Sequence, residues 1–461
     1  MRRGRTWSGS LALSLLFVLA LAVAGCEGTA SSSPGPEPTS SAPDGPVTLT
    51  LGVFGNADEV SAYTRMADEF APLDRQVTVQ VTSWPTADAM IADLRAGAAV
   101  PDVFLADRRD LAWLIEANKV QPVDDLLDER GIDFGDDYPR SSLTAFGVDN
   151  RLQCMPYGIS PQVIYYNTNL IDFDALAAAG GDVPPDHSGW SLDQFTRVAA
   201  RADRPATGVG GVYVAPTLTG LAPFLYSAGG SVFDRDAGPT SLAFSTPGSR
   251  NALSQVLRVL RSPRVSLSSA QLAEKSPLEW FKEGKLAMLE GNRSLVPGLR
   301  DTLGAEFDVM PIPGGGSTRT VADATGLCLS RGARDISSAA DLLAHAITTQ
   351  SLADVAREGY LQPANQSVAL SAEYLQPGRL PVHAGVFTDA VRSLLYPALI
   401  DTWTRLDQTE APLLPRLFTD NPLRLGQLTR QIDQASQPLL RPPTPTPSPT
   451  ASGSTGVTPS G

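Results

Sequence analysis

The residues best able to bind a small hydroxylated molecule come directly after predicted strands of this sequence. Asn56, Asp107 and Asn292 offer carboxylate or amide groups that hydrogen-bond to hydroxyls. Arg108 or Arg293 can donate two parallel hydrogen bonds. An aromatic side chain beside such groups covers the C–H face of a sugar ring. This combination predicts a binding site for a polyol.

The same positions also have ordinary structural explanations. Asp107 or Arg108 can cap a helix or lie at the surface. Gly291 with Asn292 can form a simple turn, and Phe54 can fill the core. Tight sites use few convergent polar groups, so we expect about half of the proposed positions to contact a ligand.

Strands that alternate with helices must position these residues. The segment 47–54 (VTLTLGVF) repeats apolar residues with a period of two, and residues 60–70 follow with helical spacing. The succession recurs through strands at 77–81 and 102–107, which predicts a parallel sheet covered by helices and an α/β fold. Ligands of such sheets bind beyond the carboxyl ends of the strands.

Several helix starts are marked by capping residues. Ser191 is followed by Gln194, and Ser276 by Pro277 and Glu279, as in capping boxes. Further helices are predicted over 336–349 and 352–358, and over most of 387–434.

The first residues resemble the leader of an exported lipoprotein. Three arginines precede an apolar run over 11–23, which is too short for a membrane-spanning helix of ~20 residues. The run ends in 23–26 (VAGC), which resembles a lipobox. The pattern predicts that residues 1–25 are a signal peptide and that Cys26 carries the lipid.

Two segments are rich in proline, serine and threonine and lack apolar periodicity. Residues 26–46 are predicted to be a flexible tether, and residues 442–461 a disordered tail.

Composition limits the possible functions. A chain of 461 residues with 42% hydrophobic and 18% charged residues is long enough for two or more domains. Its net charge is −13 and no basic cluster is present, which argues against nucleic acid as a partner.

Cys154 and Cys328 are the remaining cysteines after Cys26. In an exported protein they can either form a disulfide or remain as two buried thiols, and the sequence leaves both possibilities open.

A set of short motifs, in order along the chain, resembles extracellular solute-binding protein family 1 of ABC importers. Each motif is weak alone, but together they extend over residues 47 to about 438. They are 101–104 (PDVF), 156–158 (PYG), 165–167 (YYN), 189–195 (GWSLDQF), 281–288 (FKEGKLAM) and 311–315 (PIPGG).

The resemblance implies two α/β lobes of the periplasmic-binding-protein type, joined by strands that cross between them. The first lobe would comprise 47–155 and 325–384, and the second 156–324 and 385–441. Cys154–Ser160 and Thr325–Ser330 would be neighbouring crossing segments. This would bring Cys154 and Cys328 within bonding reach and turn Tyr157 towards the cleft, with Gly158 adopting a conformation that other residues avoid.

The resemblance also adds ligand-binding positions from loops that the strand pattern alone does not mark. The complete predicted set is Phe54, Asn56, Asp107, Arg108, Tyr157, Ser160, Thr219, Tyr226, Gly291, Asn292, Arg293, Asp323 and Trp403.

The family implies a lipid-anchored, monomeric receptor at the outer face of the cytoplasmic membrane. It would deliver a small solute, a sugar by preference, to the permease of an ABC importer, without a cofactor, metal or catalytic residue. The alternatives are a sensor or scaffold lipoprotein and a secreted glycoside-processing enzyme. Against an enzyme, His187, His345 and His383 form no H-E-x-x-H motif, and no G-x-S-x-G is present.

Overall fold

The computed structural model describes residues 45–70, 76–135, 137–183, 187–263, 265–302, 304, 306–314 and 319–441. The predicted signal peptide, the predicted lipidation site Cys26, most of the predicted tether and the tail 442–461 lie outside these residues. Among the described residues, no helix combines the length and the apolar character needed to cross a bilayer.

The strands, in chain order, are β1 Val47–Phe54, β2 Val77–Trp84, β3 Val103–Asp107, β4 Val120–Gln121, β5 Gly147–Val148, β6 Arg151–Leu152, β7 Cys154–Pro161, β8 Val163–Asn167, β9 Gly210–Tyr213, β10 Leu286–Gly291, β11 Phe307–Met310, β12 Thr320–Ser330 and β13 Leu394–Leu395.

The helices are α1 Ala57–Asp68, α2 Ala87–Arg95, α3 Leu111–Glu116, α4 Asp124–Asp128, α5 Arg140–Ala145, α6 Phe173–Ala178, α7 Leu192–Ala202, α8 Leu218–Ser227, α9 Pro247–Leu260, α10 Ser269–Glu274, α11 Pro277–Lys282, α12 Leu295–Arg300, α13 Ile336–Ala346, α14 Thr349–Ala356, α15 Gln366–Ala369, α16 Ala372–Leu375, α17 Gly385–Ala390, α18 Trp403–Glu410, α19 Arg416–Thr419 and α20 Leu425–Leu440.

The first lobe is built on a sheet in the order β13-β12-β3-β1-β2, with β4 and β7 also paired to β12. β1 runs parallel to β2 and β3, as the βαβ pattern predicts, whereas β12 is antiparallel to β3 and β7. Leu49, Leu51 and Val53 are fully buried on one face of β1. The predicted alternation is therefore confirmed.

The second lobe is built on a smaller sheet in the order β11-β8-β10-β9. Its largest core cluster combines residues of α7, α8 and α9 with Trp403, Leu406 and residues of α20. The C-terminal helices therefore complete this lobe, although β13 first returns to the larger sheet.

The chain changes lobe at other points than the expected boundaries. β7 belongs to the larger sheet up to Pro161, and β8 opens the smaller sheet at Val163, so the first change lies at Gln162 rather than between 155 and 156. The whole of β12 from Thr320 likewise belongs to the larger sheet, so the return precedes the boundary expected at 324/325.

The Pro156-Tyr157-Gly158 segment is a β-bulge. Gly158 pairs with Thr325 and Pro156 with Gly326, which leaves Tyr157 as the extra residue. Tyr157 was expected to face the cleft. It is instead only 1% exposed and packs in the first-lobe core.

Gly158 is needed for close packing rather than for an unusual φ. A Cβ atom at this position would lie 2.1 Å from Leu361 Cδ1. Beyond the bulge, β7 and β12 pair Cys154 with Cys328, and the two residues form a disulfide.

The predicted capping boxes are present. The Ser191 and Ser276 side chains accept hydrogen bonds from the backbone N–H groups of Gln194 and Glu279, whose side chains accept hydrogen bonds in return. The helices predicted over 336–349 and 352–358 correspond to α13 and α14.

Candidate functional site

A pocket between the two lobes brings together residues that are far apart in sequence. One wall comes from the turn after β3 and from β12, and the other from α8, the loop after it and the start of α18. The lining residues are Asp107, Arg108, Arg109, Leu218, Thr219, Ala222, Tyr226, Val232, Phe233, Val321, Ala322, Asp323, Ala324, Pro397 and Trp403.

Six of the thirteen predicted ligand-binding positions line this pocket. They are Asp107, Arg108, Thr219, Tyr226, Asp323 and Trp403. Two larger depressions, of about 680 and 630 Å³, each lie within one lobe, so the lobe interface is the better candidate.

Asp107 is held at the carboxyl end of β3 by the turn that follows. Its Oδ1 accepts a hydrogen bond from the N–H of Arg109 at 2.8 Å, and Arg109 Nε lies 3.8 Å from the same oxygen. Burial raises the pKa of Asp107 to about 6, and Asp323 contributes to this rise while Arg109 opposes it.

Asp323 forms the second carboxylate of the pocket. Burial raises its pKa, and two neighbours oppose the rise: Arg109, and Asn292, whose Nδ2 donates to Asp323 Oδ2 at 2.6 Å. Asn292 follows β10 of the second lobe, so this hydrogen bond joins the two lobes.

A second polar contact across the pocket is an ion pair. Arg109 Nη1 lies 3.3 Å from Asp407 Oδ2, and Asp407 belongs to α18, which packs in the second lobe. Arg109 directly follows Arg108 in sequence and was not among the predicted positions. Asp407 has no sequence signal, because only the packing of α18 brings it to Arg109.

Arg108 lines the pocket, but its guanidinium is engaged in hydrogen bonds to backbone carbonyl groups. Its Nε donates to Ala145 O at 2.8 Å and its Nη1 to Pro397 O at 2.5 Å. The guanidinium also lies over the Tyr396 ring, and burial lowers the pKa of Arg108 to about 10. Arg108 therefore ties the end of α5 to the loop before α18.

Aromatic side chains form the apolar wall. Trp403 packs edge-on against Phe233, with ring centroids 5.6 Å apart, and its Nε1 donates to Ala398 O. Trp403 therefore both packs in the second-lobe core and lines the pocket. Burial raises the pKa of Tyr226 to about 12.

Arg293 and Asn56 have other roles than the predicted one. Arg293 is fully buried, with Nε donating to Gly359 O and Nη2 to Tyr374 O, and its guanidinium lies 4.6 Å from the Tyr374 ring. Asn56 caps α1, accepting hydrogen bonds from two backbone N–H groups in its first turn. These contacts occupy two donor atoms of the Arg293 guanidinium and the side-chain oxygen of Asn56.

The remaining predicted positions lie around the pocket or in the core. Phe54 packs against both clusters of the first-lobe core. Ser160 lies opposite Asp323 in the pairing of β7 with β12. Gly291 ends β10, where an added Cβ would lie 2.3 Å from Leu295 Cδ1.

The cavity between the walls is small. It measures about 30 Å³, which is room for one or two water molecules. A larger ligand therefore requires the lobes to separate or the lining side chains to move.

Known structures share this two-lobed fold. An ABC substrate-binding protein from Listeria monocytogenes in complex with cycloalternan superposes with a TM-score of 0.72 at 17% identity, covering 85% of this chain and 98% of that one. The GacH receptor of Streptomyces glaucescens, solved unliganded and with acarbose, gives 0.68 at 17% identity over 86% and 98%. UgpB from Mycobacterium tuberculosis in complex with glycerophosphocholine gives 0.67 at 17% identity over 86% and 98%.

Sequence comparison gives a family but no individual relative. No curated protein sequence matches the chain. Residues 65–381 match the family model described as bacterial extracellular solute-binding protein, which is more than half of the chain. The chain therefore belongs to the family of bacterial extracellular solute-binding proteins.

Proposed function

We propose that this protein captures a small polyhydroxylated solute, a sugar by preference, in the pocket lined by Asp107, Asp323 and Trp403. The observation that carries the proposal is the composition of this pocket. Two carboxylates and Arg109 converge on an aromatic wall between two lobes. Carboxylates accept hydrogen bonds from hydroxyls, a guanidinium donates them, and aromatic faces cover C–H surfaces.

The relatives with this fold support a sugar-type ligand. Two of them were solved with the carbohydrate-type ligands cycloalternan and acarbose, and a third with glycerophosphocholine. All three ligands present several hydroxyl or other polar oxygens, so a glycerophosphodiester belongs in the same ligand screen.

Binding is proposed to close the two lobes over the solute. The cavity of about 30 Å³ and the two polar contacts across it, Arg109 with Asp407 and Asn292 with Asp323, support a closed arrangement. An open form would break these contacts and admit the solute. The solute then favours closure because it contacts both walls only in the closed form.

Delivery to an ABC importer completes the proposed role. The family is extracellular, and the sequence of residues 1–26 supports export and a lipid on Cys26. We propose a monomeric receptor on the outer face of the cytoplasmic membrane that hands its solute unaltered to the permease.

A ligand screen tests the proposal. Thermal-shift measurements over sugars, polyols and glycerophosphodiesters should identify a stabilising solute, because a ligand at 100 times its Kd adds about 2.7 kcal/mol. Asp323→Asn should weaken binding of that solute at least ten-fold. The matched control Asp128→Asn, on α4 away from the pocket, should bind normally.

Three results would contradict the proposal. If every solute leaves the unfolding temperature unchanged, or if Asp323→Asn binds as tightly as the control, the pocket is not the binding site. If the solute is recovered chemically changed, the protein is an enzyme. X-ray scattering should also report a smaller radius of gyration on saturation.

A further inference from the structure

Two of the three histidines of the chain stack on each other at the edge of the smaller sheet. The rings of His187 and His383 lie 3.5 Å apart between centroids and are inclined by only 9°. His187 lies in the segment before α7, and His383 directly precedes α17. Asp308 of the edge strand β11 lies beside both rings. Three distant segments therefore converge on one point.

The carboxylate of Asp308 is oriented by the backbone. Its Oδ1 accepts hydrogen bonds from the N–H groups of Val309 and His383, at 2.9 and 3.0 Å. Its Oδ2 is thereby directed at the histidines, 2.5 Å from His383 Nδ1 and 4.0 Å from His187 Nε2. One donor atom from each of the three residues lies within 4.8 Å of the other two.

One side of the cluster is enclosed and the other is open to solvent. Tyr166 hydroxyl lies 2.8 Å from His187 Nε2, and the Phe173 ring packs edge-on against His187. The Asp308 side chain is only 5% exposed, whereas that of His383 is 45% exposed. An ion therefore has an entry path, and a water molecule has room on the open side.

We propose that His187, Asp308 and His383 bind a divalent transition-metal ion of the Zn²⁺ type, with water as the fourth ligand. Two imidazoles and a carboxylate form a donor set typical of Zn²⁺, whereas Ca²⁺ and Mg²⁺ prefer oxygen ligands alone. The backbone hydrogen bonds to Asp308 Oδ1 supply outer contacts of the kind that orient such a ligand.

Binding requires a modest rearrangement. Ligand atoms of a tetrahedral Zn²⁺ site are separated by about 3.3 Å, given bonds of about 2.0 Å. The present separations of 2.5 and 4.0 Å lie on either side of this value. The hydrogen bonds of Asp308 with His383 and of Tyr166 with His187 Nε2 must open, and the stacked rings must tilt so that both nitrogens face the ion. The exposed side chain of His383 allows this movement.

A bound ion would tie the chain before α17 to β11 and to the segment before α7. No short motif in the sequence marks this site. More than a hundred positions separate His187 from Asp308, and tens of positions separate Asp308 from His383. The ion would therefore stabilise the second lobe without contacting the solute pocket.

Metal titration of the tag-free protein, stripped with EDTA and free of solute, tests this site. Wild type should bind one equivalent of Zn²⁺ by calorimetry, with a higher unfolding temperature, and Co²⁺ should give the visible absorption of a tetrahedral complex. His383→Ala and Asp308→Asn should each weaken binding at least ten-fold. The matched control His345→Gln should bind normally, because His345 contacts Met66 O elsewhere in the fold.

The wild-type titration alone can overturn the site. If wild type shows no saturable Zn²⁺ binding, or if His383→Ala binds as wild type does, the cluster is only a hydrogen-bonded histidine stack. His383 is half exposed, so its replacement should leave a folded protein even if Asp308→Asn does not, and circular dichroism checks this. Neither result depends on whether a sugar binds.

Discussion

Replacing Asp107 by asparagine should stabilise the protein at neutral pH. The Asp107 side chain is 14% exposed, and its pKa is raised from 3.8 to about 6, chiefly by burial. A raised carboxyl pKa means that ionisation opposes folding. This loss of folding stability is absent below about pH 4, grows between about pH 4 and 6, and is complete above about pH 6. At about 1.36 kcal/mol for each pH unit, it reaches at most about 3 kcal/mol.

Asparagine keeps the local structure while removing the charge. Its side-chain oxygen can still accept the hydrogen bond from the N–H of Arg109 that begins the turn after β3. Urea unfolding of both proteins from pH 4 to pH 8 should therefore show equal stability at the acidic end. At the neutral end the variant should be more stable by about 2 to 3 kcal/mol.

An aspartate that caps a helix outside the pocket provides the matched control. Asp172 caps α6 through a hydrogen bond from the N–H of Ala175, outside the pocket. Asp172→Asn should change stability by less than about 0.5 kcal/mol, as is usual for exposed substitutions. If Asp107→Asn is no more stable than wild type at pH 8, or if its advantage does not depend on pH, the reasoning from burial is refuted.

Three further perturbations test the packing. Glu410 is fully buried, and its pKa is raised from 4.5 to about 8. Because ionisation of this carboxyl opposes folding, the stability of the wild-type protein should fall as the pH rises from about 4.5 to about 8. Melting curves of Glu410→Gln should lack this fall. The Cys154–Cys328 disulfide joins residues that are 174 positions apart, so its reduction should lower the free energy of unfolding in urea by about 4 to 5 kcal/mol. Two reactive thiols in the unfolded, unreduced protein would contradict the bond. Gly158→Ala should lower the free energy of unfolding by about 1 to 3 kcal/mol, because the added methyl group would lie too close to Leu361. The control Gly189→Ala has open space around it and should leave stability unchanged. Equal stabilities of the two variants would show that the contact with Leu361 relaxes without cost.

The sequence predicts local structure well in this protein because the responsible interactions are local. The alternation in β1, the capping boxes at Ser191 and Ser276, and the helix over α13 depend on neighbours within a few residues. Family motifs extended this to the two-lobed fold, which the structure confirms. Six positions taken from strand ends and from the resemblance line the pocket.

Prediction failed where one residue type suits two environments. Arg293 follows a strand, as a binding residue would, but its contacts with the Tyr374 ring and with two backbone carbonyl groups bury its guanidinium. Tyr157 was expected in the cleft, but the bulge in β7 turns it into the core. A single sequence does not reveal which side of a strand or loop a residue faces when the register contains an extra residue.

The sequence alone was sufficient for the strand and helix succession and for the acidic character, because each is a property of adjacent residues or of composition. Export through a signal peptide stays a prediction from the first residues. The contacts of Arg109 with Asp407, of Asn292 with Asp323 and of His187 with His383 arise only when the lobes fold and their C-terminal helices dock. The residues of each pair are close in space but far apart in sequence. Tertiary packing therefore creates both the pocket and the proposed metal site.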